Sequence, residues 1–354
     1  MKRQILVLCL MALGFGLTCA EPLFDPNRNT LYTKDDLWKG YNSIPADNKS
    51  LDWAIFDKYF DDTMKYAPPL DQLRLQRQHD AGMEYAINEF FKVDAGGIPT
   101  NKRVVSIMGS HSRTRSDPWY KNVARLAYAL SKAEYFVVSG GGPGYMEAAH
   151  LGAYMARNYS PKDLETALDI LDKSATFEKP QGCKPKKKQY EMCDYWEKAL
   201  EVTHAFPNGS ESLGIPTWFY GHEGANAFSL HVAKFFSNAL REEKLSSLGS
   251  HGVIFAPGGP GTAQEVFMDA AQNAYHSYNS MSPMVFFNDP PNPDDLGTVA
   301  TGKMLDLVDL QTSKEFKEKK MLLRSNDPQE IIKFLDQKGS VFCKYGDPEC
   351  RPPQ

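Results

Sequence analysis

Glu265 stands three residues beyond the threonine of a glycine-rich turn, Pro257-Gly258-Gly259-Pro260-Gly261-Thr262. The turn follows an apolar run, Gly252-Val253-Ile254-Phe255-Ala256, and opens into a helix-forming segment. A strand, a glycine turn and a helix N-terminus together leave backbone N–H groups pointing outward, where the helix dipole favours negative charge. A carboxylate one helical turn inside such a site can act on whatever a bound phosphate anchors. The plainer alternative for Glu265 is a solvated first-turn glutamate that complements the helix dipole.

A second turn of the same kind lies upstream. Val137-Val138-Ser139 ends in Gly140-Gly141-Gly142-Pro143-Gly144, and Tyr145-Met146-Glu147-Ala148-Ala149 begins a helix. Either turn alone could be a tight strand-to-helix connection in which glycine supplies positive φ. Two of them in one domain point to a phosphate-bearing ligand. Neither matches the G-x-x-x-x-G-K-[ST] loop, and Tyr145 occupies the place of the third glycine of G-x-G-x-x-G, which disfavours a nicotinamide cofactor. No lysine sits in a Schiff-base context.

The pair GGGPGYMEAA and PGGPGTAQE resembles the Lonely Guy-type phosphoribohydrolases and the related nucleotide 5′-monophosphate nucleosidases, proteins often labelled lysine decarboxylase-like. The resemblance runs from about Lys102 to about Gln337, and the PGGxGTxxE signature is complete in Pro257, Gly258, Gly259, Gly261, Thr262 and Glu265. It implies a Rossmann-like fold, a homodimer, and hydrolysis of the N-glycosidic bond of a nucleoside 5′-monophosphate to free base and ribose 5-phosphate. It implies neither a metal nor an organic cofactor. Its catalytic pair is the motif glutamate, here Glu265, and an upstream arginine. Arg241 is the only arginine between Arg157 and the motif. The family carries Arg-Lys there, whereas this chain reads Arg241-Glu242. Substrate and phosphate contacts are implied for Gly109, Ser110, Gly141, Gly142, Gly144, Met146, Gly258, Gly259, Gly261 and Thr262.

The residue types suit that chemistry. Breaking a ribosyl C–N bond passes through an oxocarbenium-like state, which a nearby carboxylate stabilises while it orients or deprotonates water. A phosphate held on helix N-termini fixes the sugar by remote binding energy. Arg241 can hold the phosphate or orient Glu265; as an alternative it is an ion-pairing surface arginine. A non-catalytic nucleotide-binding protein on the same fold is the competing function, because a fold does not by itself give an activity.

These residues have to be positioned by an α/β core. Arg103–Met108 reads as a buried strand with Gly109-Ser110-His111 at its carboxyl end, and Asp117-Pro118 as the N-cap and first residue of a helix towards Ala133. His111 is either a site residue or an ordinary loop histidine. Ser212–Pro216, Val253–Phe255, Met284–Phe287 and Met321–Leu323 are further core strands, and Ala227–Arg241 reads as a helix with Phe228, Val232, Phe235 and Phe236 inward. A helix to about Gln337 closes the domain. The alternation of strands and helices predicts a doubly wound parallel sheet. Trp218, Phe219 and Tyr220 are rim aromatics able to stack on a base, or ordinary rim packing, and His222 and Glu223 are acid–base candidates.

The organisation expected is a signal peptide over 1–20, an N-terminal helical extension over 21–100, the Rossmann-like domain over 101–340 with an inserted loop region at about 158–211, and a tail over 341–354. Lys2 and Arg3 precede an apolar Ile5–Phe15 run too short to span a bilayer, and Thr18-Cys19-Ala20 ends in small residues. Export, with no stable membrane insertion after cleavage, is expected. The four remaining cysteines suggest local bridges Cys183–Cys193 and Cys343–Cys350, the simplest of three pairings, and their spacing suits no metal. With 40 basic and 44 acidic residues among 354, nothing marks a nucleic-acid surface.

Overall fold

The computed structural model describes residues 22–41, 50–61, 65–176, 193–220, 224–278, 280–288, 308, 312–339 and 341–342. The expected signal peptide over 1–20, Cys183, Cys343, Cys350, His222 and Glu223 lie outside them, so neither that expectation, nor the expected bridges, nor the His222–Glu223 pair is described.

In chain order the elements are α1 (Lys34–Trp38), α2 (Leu51–Asp61), α3 (Leu70–Phe91), β1 (Arg103–Met108), α4 (Pro118–Lys132), β2 (Tyr135–Ser139), α5 (Tyr145–Ala156), α6 (Pro161–Asp172), α7 (Cys193–Ala205), β3 (Leu213–Gly214), β4 (His231–Val232), α8 (Asn238–Ser247), β5 (Val253–Phe255), α9 (Pro260–Tyr275), β6 (Ser280–Met281), β7 (Met284–Phe287), α10 (Lys314–Glu318), β8 (Leu322–Ser325), α11 (Pro328–Lys338) and β9 (Val341–Phe342). Seven strands form one sheet in the order β4-β3-β2-β1-β5-β7-β8, every pairing parallel. β6 and β9 make a separate antiparallel pair.

The sheet is doubly wound. From β1 the chain builds outward through β2, β3 and β4, then returns to the other side of β1 with β5, β7 and β8. Right-handed crossovers then put helices on opposite faces for the two directions. α4 and α5 pack on each other, and α8 packs on α9. β1, β2, β5 and β7 are buried almost throughout, as their largely apolar sequences require of strands covered on both faces. The order reverses between β1 and β5, and ligands of open α/β sheets bind outside the carboxyl ends of the strands at such a point.

Local chemistry explains the element ends. Asp117 accepts a hydrogen bond from the Trp119 N–H and Pro118 opens α4. Asp327 caps α11 in the same way. Two sequence expectations fail. The span 227–237 is not a helix: Asn226 Oδ1 accepts from the Phe228 and Ser229 N–H groups and turns the chain, after which His231-Val232 joins β3. The four residues expected to face inward, Phe228, Val232, Phe235 and Phe236, are nonetheless buried. The insertion is not merely loop, because it carries α6, whose Ser160 and Asp163 form a capping box, and α7. Their periodicity is that of amphipathic helices, obscured by the high charge around them.

The N-terminal extension is bound tightly into the domain. Tyr32 pairs antiparallel with Val232. Asp52 of α2 holds the Lys234 ammonium at 2.8 Å and accepts the Trp218 indole N–H at 2.8 Å, all buried. Asp80 of α3 accepts the Phe236 and Ser237 N–H groups at 2.8 and 2.9 Å, just before α8. The extension therefore fixes the start of the helix that carries Arg241.

Candidate functional site

Three loops meet at the carboxyl ends of β1, β2 and β5, laced through one residue. The Ser110 N–H donates to the Pro257 carbonyl at 3.4 Å, and the Ser110 carbonyl accepts from the Tyr145 N–H at 3.0 Å. Gly109 lies between the two glycine turns: a Cβ there would stand 3.1 Å from the Tyr145 ring and 3.2 Å from Ala256 Cβ. At Gly144, φ is +67° and a Cβ would come within 2.6 Å of both the Ser110 and His111 carbonyl oxygens, so only glycine closes this seam.

The two glycine turns do different work. Gly140–Gly144 is wholly buried. Asn226 ties it down by donating its backbone N–H to the Gly141 carbonyl at 2.9 Å and its side-chain amide to the Gly142 carbonyl at 3.4 Å. Met146 packs over Gly140 as part of the floor. Gly258 is also closed in, since a Cβ there would lie 2.0 Å from Thr262 Oγ1. Gly259, Pro260 and Gly261, by contrast, are exposed, and the space beside Gly259 and Gly261 is open. Pro260 has no N–H, and the Gly261 and Thr262 N–H groups lie in the first turn of α9, before its hydrogen-bond ladder begins with Ala263 donating to Gly259. The open part of the Pro257–Thr262 turn is thus Gly259–Gly261, while Gly141, Gly142 and Gly144 shape the floor beside it.

Arg241 and Glu265 come together at this point. Arg241 Nη1 lies 3.5 Å from Glu265 Oε1, with both side chains largely buried. Arg241 Nη2 lies 3.6 Å from where a Gly140 Cβ would be, so the guanidinium spans from the floor turn to the glutamate. Its buried Nε has no hydrogen-bond partner among the described residues. Burial pushes the Glu265 carboxyl up to about 7, Arg241 opposing and Glu242 adding to the rise. A group titrating near neutrality is suited to give and take a proton.

One turn further along α9, Asp269 is buried among Ser246, Asn273 and Ser282, and burial pushes it up to about 8, its serine hydrogen bonds opposing. Its ordinary value is 3.8. A folded-state value above the unfolded one contributes stability that is complete below the unfolded value and is lost as pH rises through the folded one. The melting temperature is therefore expected to fall between about pH 4 and pH 8, and Asp269→Asn to flatten that fall. Differential scanning calorimetry from pH 5 to pH 9 measures both.

The other sequence candidates separate. Trp218 is core, fully buried with its ring on Phe236 and its N–H on Asp52. Tyr220 is the exposed rim aromatic, its hydroxyl accepting from Asn238 Nδ2 at 3.0 Å. Ser110 Oγ is 3.1 Å from Ser112 Oγ and shapes its own loop, and His111 is exposed at the mouth.

Sequence reasoning missed the network beneath the floor. Arg115 donates to both Glu147 oxygens at 2.8 and 2.6 Å, and the Tyr120 and Tyr195 hydroxyls donate to Glu147 Oε2 at 2.7 and 2.6 Å. All four residues are buried. Burial, with the adjacent Glu147 carboxylate, drives both phenols far above the ordinary tyrosine range. Their signal in the sequence is a glutamate in the first turn of the mostly apolar α5.

No protein-family model matches the chain, and no curated protein matches it.

Proposed function

We propose that the protein hydrolyses the N-glycosidic bond of a nucleoside 5′-monophosphate, releasing the base and ribose 5-phosphate. The observation that carries this reading is the Arg241–Glu265 pair set beside one open glycine turn at the switch point of a doubly wound sheet. The 5′-phosphate binds the first-turn N–H groups of Gly261 and Thr262, helped by the α9 dipole. That anchor brings the ribose over Glu265, whose carboxyl exchanges a proton and whose charge stabilises the oxocarbenium-like state. Arg241 orients the carboxylate and, through its unpaired Nε, offers a further donor to the ligand. The exposed Tyr220 ring offers a face on which a base can stack.

Arg241→Ala tests the pair. It is expected to lower kcat/KM for the best nucleotide by about 10²-fold, the usual cost of removing one preorganised charged donor. Arg241→Lys should not restore it, because an ammonium cannot reach Glu265 and the floor turn together. Unchanged kcat/KM in Arg241→Ala would remove Arg241 from the mechanism.

The expected export of the chain makes this an enzyme acting on nucleotides outside the cytosol. A mature N-terminus at Glu21, found by sequencing secreted protein, is the result that supports it.

A further inference from the structure

We propose that Glu242 is a positioning residue that gives Glu265 the acid's part in the reaction, its fixed negative charge keeping the proton on Glu265 until the base departs. This rests on the hydrolase reading and adds a residue and a direction of proton transfer to it.

Glu242 follows Arg241 on α8 and is 3 % exposed. It is held rigidly at both oxygens. Oε1 accepts from Asn238 Nδ2 at 2.7 Å, and Oε2 accepts from the side-chain amide of Gln264, the neighbour of Glu265 on α9. Asn238 also reaches the Tyr220 hydroxyl, so a chain of hydrogen bonds runs from the rim aromatic through Glu242 to Gln264, next to Glu265 in sequence. Both partners of Glu242 are neutral amides, and these bonds fix its position without cancelling its charge.

The electrostatic consequence follows from counting. Among the described residues, one cation, Arg241, stands beside two largely buried carboxyl groups, and like charges in a low-dielectric site do not both ionise readily. A phosphate dianion would enter a site of net negative charge if Glu265 were ionised, and a neutral one if Glu265 kept its proton. Among the described residues, Arg241 and Glu242, both from α8, are the charged groups that act on Glu265. Asp269, the next acid on α9, is engaged by Ser246 and Ser282.

The steps balance. As the C1′–N bond breaks, its electron pair leaves with the base and the Glu265 proton passes to a nitrogen of that base. The Glu265 carboxylate left behind faces the oxocarbenium-like sugar. Water then forms the new C1′–O bond and returns a proton to Glu265, which restores the acid.

The test compares wild type, Glu242→Gln and Glu242→Asp. The first readout is kcat/KM against pH for the nucleotide that the wild type hydrolyses fastest. The second is a ¹³C NMR titration of glutamate carboxyls, with Glu265 assigned by its loss in Glu265→Gln. The substrate phosphate titrates identically in every profile, so differences belong to the enzyme. In wild type, kcat/KM is expected to fall as pH rises through about 7. In Glu242→Gln both this limb and the NMR titration of Glu265 should move to lower pH by about 1 unit. Glu242→Asp keeps the charge and should keep the limb near its wild-type position even where the rate drops. A limb that stays put in Glu242→Gln, or moves equally in Glu242→Asp, overturns the proposal. A wild type active on no nucleotide overturns the hydrolase reading and the acid's part with it. In that case the NMR titration still shows separately whether Glu242 acts on Glu265.

Discussion

Replacing Glu265 by glutamine is expected to slow base release by about 10³-fold, the scale of a lost proton-transfer group at a reacting centre, while leaving nucleotide bound. The two effects separate because different atoms serve them. On the proposed reading, binding comes from backbone N–H groups at the open turn, which Glu265→Gln does not touch. The amide has the shape of the acid, so α9 keeps its packing, but it neither gives nor takes a proton. It also cannot offer a negative charge to the oxocarbenium-like state. A change confined to the transition state lowers kcat and kcat/KM together and leaves Kd alone. Single-turnover kinetics and calorimetric titration of the same variant measure the two sides. Loss of binding in step with turnover would make Glu265 a ligand contact and favour a nucleotide-binding protein on this fold.

The second large effect lies beneath the site. Glu147→Ala is expected to destabilise the fold by about 3–5 kcal/mol, because it leaves the Arg115 guanidinium buried and unpaired. In a domain of this size that corresponds to a melting temperature lower by roughly 10 °C. Arg115 lies in the loop after β1, Tyr120 in α4, Glu147 in the first turn of α5 and Tyr195 in α7. Glu147 is thus the point where the loop after β1, the floor turn and the insertion are joined. Pairing Glu147→Ala with Arg115→Met removes the unpaired charge and should recover a substantial part of the loss, as expected when an isolated buried ion is the cause. Thermal denaturation of both single variants and the double variant gives the coupling. Equal and additive losses would show that the network acts only through packing.

How much of this was legible beforehand depended on how local the signal was. The strand Arg103–Met108, the Asp117-Pro118 helix start, both glycine turns and the closing helix were readable because each is written in adjacent residues: an apolar run, a cap, a glycine cluster. The failures are the places where distant partners decide. Residues 227–237 carry a helical spacing of apolar groups. They nonetheless form an extended segment, because Asn226 turns the chain, β3 and Tyr32 offer strand partners, and Asp80 takes the last N–H groups. Trp218 looked like a rim aromatic and is core, since Asp52, some 160 residues earlier, supplies its hydrogen-bond acceptor. The two glycine turns look alike in sequence. What surrounds them differs: Asn226, Gly214 and Pro216 close over one, and nothing stands within 4 Å of where a Cβ on Gly259 or Gly261 of the other would be. Arg241 and Glu265 were each legible alone. Their meeting at 3.5 Å is a product of α8 packing on α9.

The central claim is tested most directly by incubating the chain from Glu21 onward with each common nucleoside 5′-monophosphate and following free base and ribose 5-phosphate together. The account predicts that at least one nucleotide yields both products in equal amounts, and that Glu265→Gln yields neither. Nucleotide bound without release of base from any of them would contradict it, and would leave Arg241 and Glu265 as contacts in a binding site.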